Sequence, residues 1–153
     1  MLNPFAETVV SNEPEDAGGG VVLLVEDDDD AVELFKRAFG QAGLTNELRV
    51  VRAGDEAMKY LKGEGKFANR RKYPFPALVL LDLNMPRVSG FEVLQWARRH
   101  EEMRDLRIIV LTTSEDLGDL KRAYELGSNS FMTKSHDTQE FVRQLRDVKT
   151  HWL

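Results

Sequence analysis

The chain contains no cysteine among its 153 residues, which excludes disulfide bonds and thiolate metal sites. No stretch approaches the roughly 18 to 20 continuous apolar residues that cross a bilayer, and no signal peptide pattern opens the sequence. Phosphate loops of the GxxxxGK[ST] and GxGxxG types are also missing, which disfavours nucleotide hydrolysis and dinucleotide binding. The formal net charge of −5 argues against broad nucleic-acid binding. We therefore expect a cytoplasmic protein with neither a membrane nor a nucleic acid as partner.

The length of the chain suits one globular domain. Residues 1–20 show no sustained hydrophobic period, and SNEPEDAGGG combines proline, acidic residues and glycines, a composition typical of linkers. We predict a flexible tail over residues 1–20 and one domain over residues 21–153. The more apolar start, MLNPFAETVV, leaves open that it packs elsewhere, for example on a partner subunit.

Short apolar runs alternate with helical patterns from residue 21 onward, which indicates βαβ units and a parallel sheet. Three runs are apolar on both faces, as in strands covered by helices, whereas ELRVV alternates like an edge strand. The predicted fold class is α/β, a flavodoxin-like doubly wound (βα)5 with a five-stranded parallel sheet in the order 2-1-3-4-5. The predicted strands are Val21–Val25, Glu47–Val51, Ala77–Leu81, Arg107–Leu111 and Asn129–Thr133.

Helical stripes follow the strands, and the fourth consists of Leu117, Leu120 and Tyr124, which we expect to pack on the sheet. Asp137 with Glu140 resembles a capping box that opens the last helix.

The connection over residues 62–76 is longer than usual for this type of fold. It is also basic, and two interpretations remain open: a partner-docking loop or a solvated insertion. Its cations are Lys62, Lys66, Arg70, Arg71 and Lys72.

Polar residues stand at the carboxyl ends of four predicted strands, the edge where open α/β sheets place their chemistry. Glu26 and Asp27 follow the first strand, Asp82 the third, Thr112 the fourth and Lys134 the fifth. Because strands one and three are neighbours in the predicted order, their three carboxylates should share one cleft. At about 4 Å and an effective dielectric near 20, each like-charged pair repels by roughly 4 kcal/mol. The cleft must therefore bind protons or a cation, and oxygen ligands favour Mg²⁺.

Such a site suits transfer of a phosphoryl group, which needs little beyond positioning and charge neutralisation. Asp82 would be the nucleophile, while Thr112 and Lys134 would stabilise the phosphoryl oxygens. The acidic residues Asp28, Asp29 and Asp30 are instead assigned to a helix N-terminus, where the helix dipole favours them.

Four segments, VVLLVEDDD, LVLLDLNMPRVSGFEVL, IIVLTTS and NSFMTKS, resemble in order the marker segments of receiver domains of two-component response regulators. The resemblance spans residues 21–153. It implies that Asp82 is the phosphoacceptor and that Asp27, Asp82 and the backbone carbonyl of Asn84 bind Mg²⁺. Glu26 would act on the metal through a bound water.

The same resemblance gives roles to residues around the phosphoacceptor. Thr112 and Lys134 would hold the phosphoryl oxygens, and Phe131 would swing inward on phosphorylation. That movement would remodel the face of the fourth helix, fifth strand and fifth helix. Asn84 and Ser114 would tune the rate at which water removes the phosphate.

Three features resemble those of single-domain regulators paired with phytochrome-type histidine kinases. They are the segment LTTS, the long connection before the third strand and the terminal HWL. This implies a histidine kinase as partner and a signalling protein rather than an enzyme, with at most slow self-dephosphorylation. Apolar residues of the fifth helix, Phe141, Leu145, Val148 and Trp152, predict a homodimer through that helix and the fifth strand. Phe141 and Leu145 would serve equally well as a cover for the sheet.

One departure from the family is Ser135, where receivers have a cis-proline. A cis bond before a non-proline residue costs about 2.5 to 4 kcal/mol, so the Lys134–Ser135 bond is either strained or trans. Two alternatives stay open. One is a dehalogenase-like phosphatase, which Asn84 disfavours because such enzymes have an acidic residue there; the other is a degenerate receiver that acts only as a binding scaffold.

Overall fold

The computed structural model describes residues 19–113, 117–135 and 137–153. Five parallel strands form one sheet, and their order, numbered along the chain, is 2-1-3-4-5, so the predicted fold class is confirmed. Most of the predicted tail, residues 1–18, lies outside the described residues. The strands are β1 (Val21–Val25), β2 (Glu47–Val51), β3 (Leu78–Asp82), β4 (Ile108–Thr112) and β5 (Ser130–Thr133).

The predicted bounds of β1 and β2 are exact, whereas β3, β4 and β5 each begin one residue later than predicted. β3 and β4 also extend one residue further. Asp82 and Thr112 are therefore the last residues of their strands, and Asp82 is in register with Leu111 of β4. The backbone ladder holds both site residues in place.

Helices cover both faces of the sheet. Leu23, Val79 and Leu81 belong to the half of the core under the second, third and fourth helices, whereas Leu24 and Leu80 belong to the half under the first and fifth helices. Alternate strand residues thus point to opposite helical layers, which explains why the central strands are apolar throughout. No helix within the described ranges is long and apolar enough to cross a membrane. The helices are α1 (Asp29–Gln41), α2 (Gly54–Lys62), α3 (Gly90–Arg99), α4 (Leu117–Glu125) and α5 (Thr138–Trp152).

The α4 stripe is the clearest error of the sequence analysis. Leu117 is 78% and Tyr124 50% exposed, and the buried residue of the helix is Ala123. The helix is rotated so that Ala123 contacts the core and Leu117 and Tyr124 face solvent, while Leu120 is half-buried. Helical periodicity identifies an apolar face, but it does not say whether the sheet or a partner covers that face.

Capping explains several helix boundaries. The capping box predicted at the start of α5 is half right. The Asp137 side chain accepts hydrogen bonds from the backbone N–H groups of Gln139 and Glu140, but the Glu140 carboxylate forms an ion pair with Arg143. A full capping box, Ser89 with Glu92, opens α3 instead. The N-cap Ser89 lies seven residues after Asp82.

The basic connection is anchored to the domain by Phe67 and Arg70 and is otherwise largely exposed. Phe67 is buried against Tyr60 and Tyr73, with ring centroids 5.0 Å and 5.1 Å away. Arg70 donates hydrogen bonds to the carbonyls of Tyr60 (2.8 Å), Leu61 (2.7 Å) and Tyr73 (3.1 Å). The solvated-insertion interpretation is therefore wrong for Phe67 and Arg70, whereas the other four cations are exposed as that interpretation expects: Lys62, Lys66, Arg71 and Lys72.

Candidate functional site

Three carboxylates meet at the carboxyl edge of the sheet. Val25 of β1 is in register with Leu81 of β3, so the next residues, Glu26 and Asp82, stand side by side. Each is only 2% exposed, whereas Asp27 is open to solvent. One carboxylate oxygen from each of the three lies within 4.8 Å of the others. An oxygen cluster of this kind has the ligand chemistry that Mg²⁺ prefers.

Lys134 reaches this cluster from the far side of β4. Its Nζ lies 2.7 Å from Glu26 Oε1 and 3.3 Å from Asp82 Oδ2. Because neighbouring strands are about 4.8 Å apart, a residue after β5 needs a long side chain to reach β3. The backbone N–H of Lys134 donates a hydrogen bond to the carbonyl of Thr112 (2.9 Å), which fixes the position from which the side chain extends.

Burial dominates the electrostatics of Glu26. Burial, together with the charge of Asp82, raises the pKa of Glu26 to about 7 despite the opposing effect of Lys134. Burial alone would lower the pKa of Lys134, but its contacts with Glu26 and Asp82 outweigh burial and raise that pKa above its usual value. The lysine thus stays charged, and Glu26 keeps its proton to a higher pH than an ordinary glutamate does.

Backbone N–H groups orient the two buried carboxylates. Asn84 N donates to Asp82 Oδ1 (3.1 Å), and Asp28 N donates to Glu26 Oε2 (3.2 Å). In each case the donor lies two residues further along the chain, and the other carboxylate oxygen faces Lys134. The turns after β1 and β3 therefore aim both carboxylates at one point.

Gly90 is a site-supporting residue that the sequence analysis missed. A Cβ atom there would lie 2.3 Å from the carbonyl oxygen of Asp82, so the start of α3 packs directly on the backbone of Asp82. Only glycine allows this approach. A glycine at the start of a helix pattern shortly after the site aspartate was the signal available.

The remaining predicted residues lie around this cluster. Thr112 is buried at the end of β4, in register with Thr133, on the strand next to Asp82. Asn84 is exposed, and Phe131 is 40% exposed on β5. Ser114 lies outside the described residues. No peptide bond is cis within the described ranges, so the Lys134–Ser135 bond is trans.

The sequence matches the response regulator receiver domain family over residues 22–146. Among curated proteins it is 37% identical over 123 residues to the probable methanogenesis regulatory protein FilR2 of Methanothrix harundinacea, covering 78% of this chain and 75% of that protein. The family match includes every predicted site residue and all five strands apart from Val21, the first residue of β1.

Three solved structures are similar over most of the chain. RPA3017, a response regulator in red light signalling of R. palustris, superposes with a TM-score of 0.83 at 35% identity, covering 87% of this chain and 93% of that one. The phosphorylated cyanobacterial phytochrome response regulator RcpA gives 0.78 at 32% identity, with the same two coverages. The Mn²⁺-bound form of response regulator Rcp1 gives 0.77 at 33% identity, covering 88% and 94%. The chain therefore belongs to the response regulator receiver domain family and is related to its phytochrome response regulators.

Proposed function

We propose that this protein accepts a phosphoryl group on Asp82 from a histidine kinase and transmits the change through protein contacts. The observation that carries the proposal is the convergence of Asp82 with Glu26, Asp27 and Lys134 at the carboxyl edge of the sheet. Family membership favours this role over a dehalogenase-like phosphatase, and the intact cluster favours it over an inactive scaffold.

In the proposed transfer, a carboxylate oxygen of Asp82 forms a bond to phosphorus. The bond from phosphorus to the nitrogen of the donor histidine breaks, and that nitrogen keeps the electron pair. Lys134 stays protonated and neutralises charge on the phosphoryl oxygens, while the Thr112 hydroxyl donates to one of them. The N–H of Asn84, already bonded to Asp82 Oδ1, fixes which carboxylate oxygen faces the donor.

Asp27, Asp82 and the backbone carbonyl of Asn84 would hold Mg²⁺, with Glu26 acting through water. When bound, Mg²⁺ neutralises the carboxylates and the incoming phosphate. Glu26, Asp27 and Asp82 fit the ion because they offer oxygen ligands from two adjacent strands. The Mn²⁺-bound form of the similar protein Rcp1 supports the same assignment.

The proposed signalling face consists of α4, β5 and α5. Leu117, Tyr124 and Phe131 are exposed large apolar side chains of these elements, and they support this face as the one that a partner contacts. Inward rotation of Phe131 would bury one of them. Asn84, and Ser114 beyond the described ranges, would set how long the phosphorylated form lasts.

The proposed kinase is of phytochrome type, supported by the similarity to RcpA and RPA3017. We also propose a homodimer through β5 and α5. Phe141, Leu145 and Val148 are buried in the core under α1 and α5, so they cover the sheet, and the surface left for the dimer is the groove lined by Phe131, Gln144 and Trp152. Sedimentation of wild type, Trp152→Ala and the control Phe75→Ala tests the dimer. Loss of the dimer only in Trp152→Ala is expected, and a wild type that is monomeric with and without phosphate would exclude it.

Labelling with acetyl phosphate and Mg²⁺, followed by intact mass measurement, tests the phosphoacceptor. Wild type should gain one phosphoryl group, and Asp82→Asn should gain none. Asp105→Asn, an exposed aspartate at the opposite edge of the sheet, is the control that should label normally. A phosphoryl group on the Asp82→Asn variant would show that another residue is the phosphoacceptor. Continuous release of phosphate by wild type would favour a phosphatase.

A further inference from the structure

The side chain of Gln144 binds both backbone groups of Thr133, the last residue of β5. Gln144 Oε1 accepts a hydrogen bond from Thr133 N (2.9 Å), and Gln144 Nε2 donates one to Thr133 O (2.9 Å). β5 ends the sheet order, so no other strand of the described residues offers partners on this side. A carboxamide has both a donor and an acceptor, and that of Gln144 takes the place of a neighbouring strand at Thr133.

The core fixes the position of Gln144 on α5. Phe141, Leu145 and Val148 are buried, and with Gln144 they occupy positions i, i+3, i+4 and i+7 of one helical face. Gln144 is therefore a polar residue within the stripe that covers the sheet. A buried or partly buried polar side chain needs hydrogen-bond partners, and the backbone of Thr133 supplies them.

The peptide group between Thr133 and Lys134 is held at both ends. Its carbonyl, that of Thr133, accepts from Gln144 Nε2. Its N–H, that of Lys134, donates to the carbonyl of Thr112 (2.9 Å). Because a peptide group is planar and includes the Cα atom of the following residue, these two hydrogen bonds fix the point from which the Lys134 side chain leaves the backbone.

Lys134 needs this support because its side chain must cross β4 to reach the carboxylates. Its Nζ lies 2.7 Å from Glu26 Oε1 and 3.3 Å from Asp82 Oδ2, and Asp82 ends a strand that is two positions away from β5. A lysine side chain is flexible, so its end point depends on how firmly its backbone is held. Misplacement of a reacting group by 1 Å can reduce a rate by on the order of 10²-fold.

We propose that Gln144 is a positioning residue for Lys134. It holds the Thr133–Lys134 peptide group so that the ammonium of Lys134 meets the carboxylate of Asp82. This inference rests on the proposed phosphoryl transfer, in which Lys134 neutralises charge on the phosphoryl oxygens. Gln144 itself contacts neither the phosphoryl group nor the metal in this proposal, because its carboxamide is bonded to the backbone of Thr133.

Gln144→Met keeps most of the side-chain volume and removes both hydrogen bonds. Labelling of Asp82 by acetyl phosphate should slow by at least about threefold, whereas Gln139→Met, at an exposed position of α5, should label at the wild-type rate. Gln144→Glu keeps an acceptor for the N–H of Thr133 and loses the donor to its carbonyl, so this variant should also label slowly. Wild-type rates in both Gln144 variants would overturn the proposal.

The Lys134→Met background separates positioning from general damage to the fold. A residue that acts through Lys134 has no further effect once the lysine is absent, so Gln144→Met should leave the labelling rate of Lys134→Met unchanged. A further threefold loss in this background would assign a general structural effect to Gln144 and contradict the proposal. The threefold loss in the single variant should also be the same at two protein concentrations. Dependence on concentration would assign it to self-association through the groove that Gln144 lines and overturn the positioning role.

The ammonium protons of Lys134 give a readout that does not depend on phosphoryl transfer. In wild type with ¹⁵N-labelled lysine, the ion pairs with Glu26 and Asp82 should slow the exchange of these protons with water and keep their NMR signal visible. Lys134→Met identifies the signal, which should be lost in Gln144→Met and kept in Gln139→Met. An unchanged signal in Gln144→Met would contradict the positioning role. Absence of label on wild type would instead contradict the proposed function, and the ammonium signal would still test how Lys134 is held.

Discussion

Lys134 lies closer to Glu26 than to Asp82, the proposed phosphoacceptor. The distances from its Nζ are 2.7 Å to Glu26 Oε1 and 3.3 Å to Asp82 Oδ2. The ammonium is therefore held by an ion pair from the end of β1, within reach of Asp82. A short movement would take it from Glu26 to a phosphoryl oxygen on Asp82, and Glu26 would then be free to act on the metal side.

Replacement of Lys134 by methionine removes this cation and keeps most of the side-chain volume. Labelling by acetyl phosphate should slow by at least about tenfold, because charge on the phosphoryl oxygens loses its neutralising partner. Mg²⁺ binding should not weaken, since no ligand is lost and a competing cation is gone. Time courses of intact mass and calorimetric Mg²⁺ titration measure the two effects. A wild-type labelling rate in Lys134→Met would remove the lysine from the transfer step.

Glu26 makes the stability of the metal-free protein depend on pH. Its folded-state pKa of about 7 lies above the ordinary value of 4.5, so the folded state holds more protons than the unfolded state between these values. Stability should therefore fall as pH rises from about 4.5 to about 7, by up to about 3 kcal/mol at 1.36 kcal/mol per unit.

Urea unfolding of wild type and Glu26→Gln across this range measures the effect. In Glu26→Gln, the free energy of unfolding should no longer fall with pH over this range. In the control Glu33→Gln, which replaces an exposed residue, it should fall as in wild type. Saturating Mg²⁺ should flatten the wild-type slope, because the ion favours the charged carboxylate. Equal slopes for wild type and Glu26→Gln would contradict the raised pKa.

Asp27 is the exposed member of the carboxylate cluster, so its replacement separates metal binding from folding. Asp27→Asn should keep its metal-free stability and lose about tenfold or more in Mg²⁺ affinity, because one charged ligand becomes neutral. Asp30→Asn changes the same charge in the first turn of α1 and should bind Mg²⁺ like wild type. Calorimetric titration measures the Mg²⁺ affinity of both variants. An equal loss of affinity in the two would indicate a general effect of charge and not the loss of a metal ligand.

The sheet order and the site cluster followed from sequence because both depend on short-range patterns. Strands that are apolar on both faces identify the sheet centre. The position of each strand then determines the position of the polar residue at its end. Leu117 and Arg70 were misjudged because their environments depend on distant contacts. The rotation of α4 depends on Ala123 fitting the core, and the role of Arg70 depends on carbonyls nine and ten residues away. Local composition describes neither.

Arg70 and Arg71 are neighbours with opposite expected effects. Arg70 donates to two carbonyls in the last turn of α2 and to Tyr73 O, so Arg70→Ala should destabilise the protein by on the order of 2 kcal/mol, as buried acceptors lose their donor. Exposed Arg71→Ala should stay within about 0.5 kcal/mol of wild type. Denaturant unfolding compares the two variants, and similar losses of stability would rule out this role of Arg70 as a donor to the carbonyls of α2. A slower transfer from the kinase in Arg71→Ala alone would support the docking-loop interpretation.

Arg87 occupies a strained turn between Asp82 and α3. Its φ is +66°, and Val88 N donates to Pro86 O (2.8 Å), an i to i+2 bond around a residue of positive φ that defines a γ-turn. A sparsely populated backbone conformation of this kind costs a non-glycine residue roughly 1 to 3 kcal/mol, whereas the exposed ion pair of Arg87 with Asp55 (3.3 Å) contributes at most about 1 kcal/mol. The ion pair therefore does not offset the strain.

Glycine at position 87 should relieve this strain. We expect Arg87→Gly to raise the free energy of unfolding by up to about 1 kcal/mol, after allowance for the more flexible unfolded chain. Val88→Gly, the control one residue later, should lower it, because Val88 packs against Gly54. Denaturant unfolding at fixed pH measures both changes. Destabilisation by Arg87→Gly would mean that the Asp55 contact outweighs the backbone strain, since that contact is the favourable interaction which the substitution removes.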